Sequence, residues 1–190
     1  MKCLIIAAGK GSRLRSLTEA KPLISLKGIP LIDRVIDSAL KAGVDDFYVV
    51  IGYQGTLIRS HLEAVSRAKN ISITIIENEE WERANGVSVL KAKQYLDEPF
   101  FLLMSDHIFD AEIACQLVLQ SSGNKGILLA VDENLGNPFI DMDDVTRVLA
   151  EKSRIQEIGK GIESYNCFDT GIFLCDPALF SAIEKSSEEA

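Results

Sequence analysis

A glycine-rich segment near the start of the chain, LIIAAGKGSRLRSLTEAKP (residues 4–22), carries the residues most suited to chemistry. An apolar run ends there in a loop of small residues, and three cations follow it, Arg13, Arg15 and Lys21. Glycines let backbone N–H groups approach phosphate oxygens, and the cations add positive charge beside them. We therefore predict a nucleotide-binding loop. Its predicted binding residues are Ala7, Ala8, Gly9, Lys10, Gly11 and Ser12.

Two common phosphate-binding motifs do not fit this loop. A dinucleotide fingerprint needs a third glycine where Leu14 stands, and an acidic residue where Gly52 closes the second predicted strand. The Walker P-loop, G-x-x-x-x-G-K-[ST], does not match the sequence Gly9-Lys10-Gly11-Ser12 either. The loop must therefore belong to another class of nucleotide-binding protein.

The charge distribution favours a small, highly charged ligand. The net charge of −8 argues against nucleic acid as the main partner. Between Lys10 and Lys27, however, five basic residues stand against a single acid, Glu19. A basic segment on an acidic protein suits a nucleoside triphosphate.

The elements that must position this loop alternate between strand and helix. Strands are predicted at residues 2–8, 47–51, 71–76, 99–104 and 126–131, and helices at 30–42, 54–68, 85–95 and 110–120. This alternation predicts an α/β fold with an open, mostly parallel, Rossmann-like sheet. Ligands bind beyond the carboxyl ends of such strands, so Gly9, Asn78 and Asp106 should meet in one crevice.

The pattern changes after residue 131. A hairpin is predicted at residues 145–149 and 154–158, a strand at 167–174 and a short helix at 177–185. We therefore expect a single domain, residues 1–190. Within it, about 1–131 would bind the nucleotide, and 132–190 would form a small β lobe that closes over the acceptor.

Cysteine usage and hydropathy point to a cytoplasmic protein. Cys3, Cys167 and Cys175 lie in or beside apolar runs, and with Cys115 they show no metal-ligand spacing, so we predict neither disulfide nor zinc. No run is long enough to cross a bilayer, and no signal-peptide cleavage pattern is present.

The motifs resemble those of the nucleotidyltransferases that activate sugars and alcohols. The resemblance rests on AAGKGSRL (7–14), Lys21-Pro22-Leu23, Gly28-x-Pro30-Leu31, Asp106 and Asp169-Thr170-Gly171. Two further segments, MSDHIFD (104–110) and IGKGIESYNCFDTGIF (158–173), look most like the inositol-1-phosphate cytidylyltransferases. Those relatives are often fused to a membrane-embedded CDP-alcohol phosphatidyltransferase domain.

This resemblance implies a reaction and its catalytic groups. The phosphate of an alcohol or sugar phosphate would attack the α-phosphorus of CTP and release pyrophosphate. Arg13 would bind the β- and γ-phosphates, Lys21 would bind the α-phosphate, and Asp106 would bind Mg²⁺. Catalysis would consist of positioning and charge neutralisation.

The resemblance also implies residues for the two substrates. Asn78, Asn85 and Gly86 would contact the base and ribose, although Asn85 is equally suited to cap a helix. On the acceptor side, Lys160 would contact the phosphate, and Asp169, Thr170 and Gly171 would contact the polyol. His107 would either line the acceptor site or make a structural hydrogen bond. The acids Asp141, Asp143 and Asp144 fit a solvated loop better, and His61 fits the surface.

One departure leaves alternatives open. The cytidylyltransferases carry a second metal-binding acid in a W-x-D-V-D-T-like segment that this sequence lacks, so we expect a fragment of a longer protein. A sugar-1-phosphate nucleotidyltransferase and a catalytically silent nucleotide-binding module remain as alternatives. A phosphocholine cytidylyltransferase would need an aromatic cage, for which Trp81, Tyr165 and Phe168 are insufficient.

Overall fold

The fold is built on a strand that is hydrogen-bonded on both sides. A computed structural model of the chain describes residues 1–11, 20–121 and 126–188. Its strands are β1 (Lys2–Ala7), β2 (Ser25–Leu26), β3 (Ile29–Pro30), β4 (Asp46–Ile51), β5 (Ser72–Glu77), β6 (Phe100–Met104), β7 (Leu128–Asp132), β8 (Arg147–Glu151), β9 (Arg154–Gly159) and β10 (Cys167–Cys175). Its α-helices are α1 (Leu31–Lys41), α2 (Gly55–Lys69), α3 (Asn85–Lys91), α4 (Ala111–Ser121) and α5 (Ala178–Glu188).

Four strands form the parallel part of an eight-stranded sheet. β1 pairs in parallel with β4 on one side and with β6 on the other, and β5 pairs in parallel with β4. The carboxyl ends of these strands therefore reach the same edge of the sheet. The loops that follow β1 and β6 start at that edge, which is where α/β folds bind ligands.

The other four strands of the sheet are antiparallel and are joined to β6 through β10. Residues 172–175 of β10 pair with β6, and residues 167–168 pair with β8, which continues to β9. β7 pairs with β10 at both of these levels, so it lies on the opposite side of β10 from β6 and β8. The predicted fifth strand, β7, therefore runs in the same direction as β6 but pairs antiparallel with β10, because β10 occupies the place beside β6.

Alternating side chains of β1 enter two separate cores. Cys3 and Ile5 pack with α1, α2 and α4 on one face of the sheet, whereas Leu4 and Ile6 pack with α3 and α5 on the other. This alternation is the period-two pattern of a strand. Because both faces are covered, the strand is an uninterrupted apolar run.

The predicted order of elements is confirmed, with local corrections. A two-stranded ladder of β2 and β3 was not predicted, because each strand has only two residues. The third helix ends at Lys91, and a 3₁₀ turn, Lys93–Tyr95, follows it. His61 is not a simple surface residue, since its Nε2 lies 2.6 Å from Asp33 Oδ1 and joins α2 to α1. Among the described helices, none is both long enough and apolar enough to cross a membrane.

Helix α5 is attached to the sheet by an aromatic stack. The ring centroids of Phe180 and Phe100 lie 5.5 Å apart with an interplanar angle of 14°, and both side chains are buried. Ile183 of the same helix approaches α3 at Gly86. Packing at Phe180 therefore also positions one wall of the site described below.

We expect Phe180→Ala to lower the free energy of unfolding by about 3–5 kcal/mol, because it leaves a cavity beside Phe100. Leu119→Ala in α4 is the control, since Leu119 is exposed and its loss should change stability by about 0.5 kcal/mol or less. Urea denaturation of both variants measures the difference. Equal effects of the two substitutions would contradict the anchoring role of Phe180.

Candidate functional site

A cleft of about 730 Å³ opens at the carboxyl edge of the parallel strands. Its walls come from the loop after β1, the 3₁₀ turn at Lys21–Leu23, the start of α3, the loop after β6 and the middle of β10. The segments at residues 140–146 and Lys160 close its far side. Of the three residues predicted to meet in this crevice, Gly9 and Asp106 line it, whereas Asn78 does not.

The glycine loop lies against the cleft as predicted, but its two glycines serve different purposes. Gly9 has open space around the position of a Cβ atom, which leaves room for a ligand. Gly11 has a φ of +58°, and a Cβ there would lie 2.6 Å from the Cβ of Lys21. Gly11 therefore lets the Lys21 side chain cross the loop. Ala7 also lines the cleft, whereas the buried Ala8 packs under α3.

Lys10 contacts an aromatic pair that sequence analysis did not detect. Its Nζ lies 5.5 Å from the Tyr53 ring centroid and 5.9 Å from that of Trp81. The two rings meet edge to face at 5.3 Å. A Cβ on Gly52 would lie 2.5 Å from the Cβ of Trp81, so a glycine is needed there. The cation–π contact holds the middle of the glycine loop to the end of β4.

Lys21 and Asp106 form an ion pair inside the cleft. The Lys21 Nζ contacts the Asp106 Oδ2, and both side chains are largely shielded from solvent. Lys21 begins the 3₁₀ turn after the glycine loop, and Asp106 follows the carboxyl end of β6. A cation suited to phosphate and a carboxylate suited to a divalent cation are therefore in direct contact.

The two asparagines predicted to contact the nucleotide differ in accessibility. Asn78 is only 2% exposed, its Nδ2 donates to Ser88 Oγ at 2.9 Å, and its Oδ1 accepts the Glu80 N–H at 3.0 Å. The expectation that Asn78 lies on the crevice surface is therefore wrong. Its amide joins the end of β5 to α3, because a buried amide must satisfy both its donor and its acceptor.

Asn85 and Gly86 do line the cleft, at the first turn of α3. The N-cap position belongs to Ala84, so the alternative of Asn85 as the capping residue is also wrong. A Cβ on Gly86 would approach the Ile183 Cγ2 to 3.1 Å, so the glycine lets α3 and α5 pack closely.

The acceptor residues predicted on β10 occupy a bulge. The register between β7 and β10 shifts between Asp169 and Phe173, and the Gly171 N–H donates to Asp169 Oδ1 at 2.6 Å. Asp169 and Gly171 line the cleft. Thr170 holds the bulge in place, since its Oγ1 donates to the Ala130 carbonyl at 2.6 Å. Asp169, Gly171 and Phe173 line the cleft at alternate positions of β10, which is the regular period of a strand.

Two further residues singled out from the sequence, Lys160 and His107, line the cleft. Lys160 lines the cleft as predicted, and its Nζ lies 2.6 Å from Asp144 Oδ1. Asp144 therefore belongs to the cleft wall and not to a solvated loop. His107 also lines it, with its Nδ1 2.7 Å from the Thr170 carbonyl oxygen. His107 therefore makes the structural hydrogen bond, and its place in an acceptor site stays a prediction.

The described residues supply one clear ligand for a divalent cation. Within residues 1–11, 20–121 and 126–188, no group of three or more His, Cys, Asp or Glu side chains is arranged to hold a metal ion. Mg²⁺ in nucleotide sites is bound through one or two carboxylates together with substrate phosphates. A single carboxylate such as Asp106 is therefore sufficient for such a site. Ser12, Arg13 and Arg15 lie outside the described residues.

The shifted pKa of Asp169 predicts how the stability of the protein depends on pH. Burial raises this pKa above its ordinary value, although the Gly171 N–H and the nearby His107 act in the opposite direction. A raised folded-state pKa means that stability is lost as the pH rises from the unfolded pKa, about 3.9, through the folded one. Asn cannot ionise, so the free energy of unfolding of Asp169→Asn, relative to that of the wild type, should increase as the pH rises from 4 to 7.

Asp97→Asn is the matched control, because the hydrogen bond from Lys2 lowers the pKa of Asp97. Its stability relative to the wild type should fall as the pH rises from below the lowered folded pKa through the unfolded pKa, about 3.9, and should stay level at higher pH. Urea unfolding at several pH values measures both. The same pH trend in the two variants would contradict the assignment for Asp169.

Comparison with known proteins identifies the family. Residues 3–163 match the family described as the MobA-like NTP transferase domain. The solved "inositol-1-phosphate CTP transferase from T. maritima" is 30% identical, superposes with a TM-score of 0.83, and is matched over 97% of this chain and 74% of its own.

Two further relatives are similar to this chain over nearly its whole length. A "bifunctional IPC transferase and DIPP synthase" of Rubrobacter xylanophilus is 34% identical over 97% of this chain, which spans 41% of that relative's length. A "UTP–glucose-1-phosphate uridylyltransferase" of Haloferax volcanii is 28% identical over 96% of this chain and 74% of its own. On the family match over most of its length, the chain belongs to the MobA-like NTP transferase domain family.

Proposed function

We propose that this chain transfers the cytidylyl group of CTP to inositol 1-phosphate, which yields CDP-inositol and pyrophosphate. The observation that carries the proposal is the contact between Lys21 and Asp106 inside the cleft, between the glycine loop and β10. The choice of substrates rests on the names of the Rubrobacter xylanophilus and T. maritima relatives. Nucleotidyl transfer itself fits the family.

In the proposed reaction, an oxygen of the acceptor phosphate forms a new bond to the α-phosphorus of CTP. The bond from that phosphorus to the bridging oxygen of pyrophosphate breaks, and pyrophosphate leaves with the electron pair. The protein needs no covalent intermediate, so its contribution is alignment and neutralisation of charge. The glycine loop would hold the triphosphate with its backbone N–H groups, and Arg13 would add charge at the β- and γ-phosphates.

Lys21 and Asp106 would exchange partners when substrates bind. Without a ligand, the two partly buried charges neutralise each other, which avoids an unpaired charge in a shielded site. Asp106 would hold Mg²⁺, which neutralises phosphate charge when it is bound. The Lys21 Nζ is then free to donate to the α-phosphate, where negative charge increases during the transfer.

The nucleoside would lie against the first turn of α3. Gly86 has no side chain to cover the backbone there, and the Asn85 amide offers both a donor and an acceptor to a base or ribose. Asn78 would act indirectly, because its contact with Ser88 fixes the position of that turn. The preference for CTP is taken from the relatives.

A sugar-1-phosphate nucleotidyltransferase is the second candidate, favoured by the Haloferax volcanii relative, which is matched over more of its length. A phosphocholine acceptor is less suited to the site. Arg147 lies 5.1 Å from the Tyr165 ring centroid, and the Lys10 Nζ contacts the Trp81 ring, so two of the three predicted cage residues already contact cations of the protein. A link to phospholipid synthesis and fusion to a membrane CDP-alcohol transferase belong to the proposal and rest on resemblance alone. The cytoplasmic location stays a prediction from the sequence.

The proposal predicts which substrate pair is used. With Mg²⁺ present, we expect pyrophosphate release with CTP and inositol 1-phosphate to exceed that with any other pair from CTP, UTP and dTTP and a set of sugar, polyol and choline phosphates. Turnover confined to hexose 1-phosphates with UTP or dTTP would support the second candidate. Binding of CTP without turnover by any acceptor, also in the full-length protein, would indicate a silent nucleotide-binding module.

The proposal also predicts the effect of removing the central cation. Lys21→Ala should lower kcat by about 10²–10³-fold, the usual cost of one transition-state contact to developing negative charge. Lys69→Ala is the control, because Lys69 pairs with Asp37 away from the cleft and its loss should leave kcat unchanged. Thermal melting checks that both variants fold. A Lys21→Ala enzyme with wild-type kcat would remove this residue from the mechanism.

A further inference from the structure

We propose that His107 determines acceptor specificity by binding a ring hydroxyl of the polyol through its Nε2 atom. The inference rests on the proposed function, since it assigns one part of the same cleft to the acceptor ring. It concerns a residue whose sequence position fits a structural role equally well. Four features of the described residues carry it.

The first feature is a hydrogen bond that orients the imidazole ring. The His107 Nδ1 lies 2.7 Å from the Thr170 carbonyl oxygen. A carbonyl oxygen only accepts hydrogen bonds, so Nδ1 must carry the proton and donate. The ring of a residue in the β6 loop is therefore attached to the backbone of β10, and its second nitrogen is fixed in position.

The second feature is the space that β10 leaves for this ring. Gly171 has a φ of +73°, and a Cβ atom there would lie 2.2 Å from the His107 Nδ1 and 2.8 Å from its Cε1. Any other residue would displace the imidazole. The glycine of the Asp169-Thr170-Gly171 motif is therefore required by His107 as well as by the backbone conformation.

The third feature is that the rigidly held ring remains accessible. The His107 side chain is 44% exposed and lines the cleft, so it contributes little to the apolar core. The bulge beneath it is fixed by the Gly171 N–H to Asp169 contact and by the Thr170 hydroxyl. Side chains locked by such supporting bonds in an open cleft are typical of pre-organised binding groups.

The fourth feature is the charge around Nε2. This atom lies 4.0 Å from Asp106 Oδ1, which is beyond hydrogen-bond distance, and Asp169 directly precedes Thr170, whose carbonyl holds the ring. The Asp169 carboxylate disfavours a phosphate beside the ring. A hydroxyl is suitable instead, because it can donate or accept and so can bind Nε2 in either protonation state. The Asp169 carboxylate has a second oxygen that can accept from a neighbouring hydroxyl.

The test distinguishes the roles of the two ring nitrogens, Nδ1 and Nε2. In His107→Asn the amide Nδ2 can still donate to the Thr170 carbonyl, but the group at Nε2 is lost. We expect the KM for inositol 1-phosphate to rise about tenfold, the effect of one lost hydrogen bond, with the KM for CTP within about twofold of the wild type. His107→Gln, whose amide reaches the Nε2 position, should recover part of the loss.

His61→Asn is the matched control, because the second histidine of the chain contacts Asp33 between α1 and α2. Its KM values should equal those of the wild type. Thermal melting of all three variants identifies any loss of folding, and His107→Gln keeps the test valid if His107→Asn is unstable.

Acceptors that lack one hydroxyl give the decisive comparison. For the deoxy analogue that lacks the hydroxyl bound by His107, kcat/KM should fall about tenfold in the wild type and by less than twofold in His107→Asn. Equal losses in both enzymes for every deoxy analogue, or an unchanged acceptor KM in His107→Asn, would overturn this inference alone. Failure of the wild type to use any polyol or sugar phosphate would overturn the proposed function, and this inference with it.

Discussion

The pairing of β1 with parallel partners on both sides is the constraint on which the site depends. β4 and β6 fix the register of β1 over its whole length, and five of its six residues are buried. The loop after β1 and the loop after β6 must then leave the sheet at the same edge. Lys21, which follows the first loop, and Asp106, which begins the second, can meet there although they are far apart in sequence.

The apolar pattern of the sequence predicts the sheet and the edge that carries the site, since buried strands and amphipathic helices have distinct periods. It does not predict which polar residues at that edge face the ligand. Asn78 and Asp106 each follow the end of a parallel strand, yet Asn78 is enclosed by Ser88 and the Glu80 backbone, whereas Asp106 lines the cleft. That difference depends on the hydrogen bond from Asn78 to Ser88 of α3, a contact between two elements that the alternation of apolar and polar residues does not encode.

The lysines that the described residues place in or beside the cleft have partners within the protein. Lys21 contacts Asp106, Lys160 contacts Asp144, and Lys10 contacts the rings of Tyr53 and Trp81. A single phosphate would compete with a carboxylate for one lysine and gain little. A triphosphate with its metal ion can replace several of these contacts at once, so the site favours ligands with high, localised charge. Under the proposed function, such an exchange of partners would let a protein of net charge −8 bind a polyanion.

Two glycines of this site have a structural role that differs from the phosphate contact that a G-x-G motif predicts. The G-x-G loop predicts close approach to phosphate, and Gly9 has the open space for it, but Gly11 is required by the side chain of Lys21. Gly171 is likewise required by the ring of His107. In both places, a missing Cβ lets a functional side chain from another segment cross the backbone. The glycines therefore fix where the cation and the imidazole lie within one cleft.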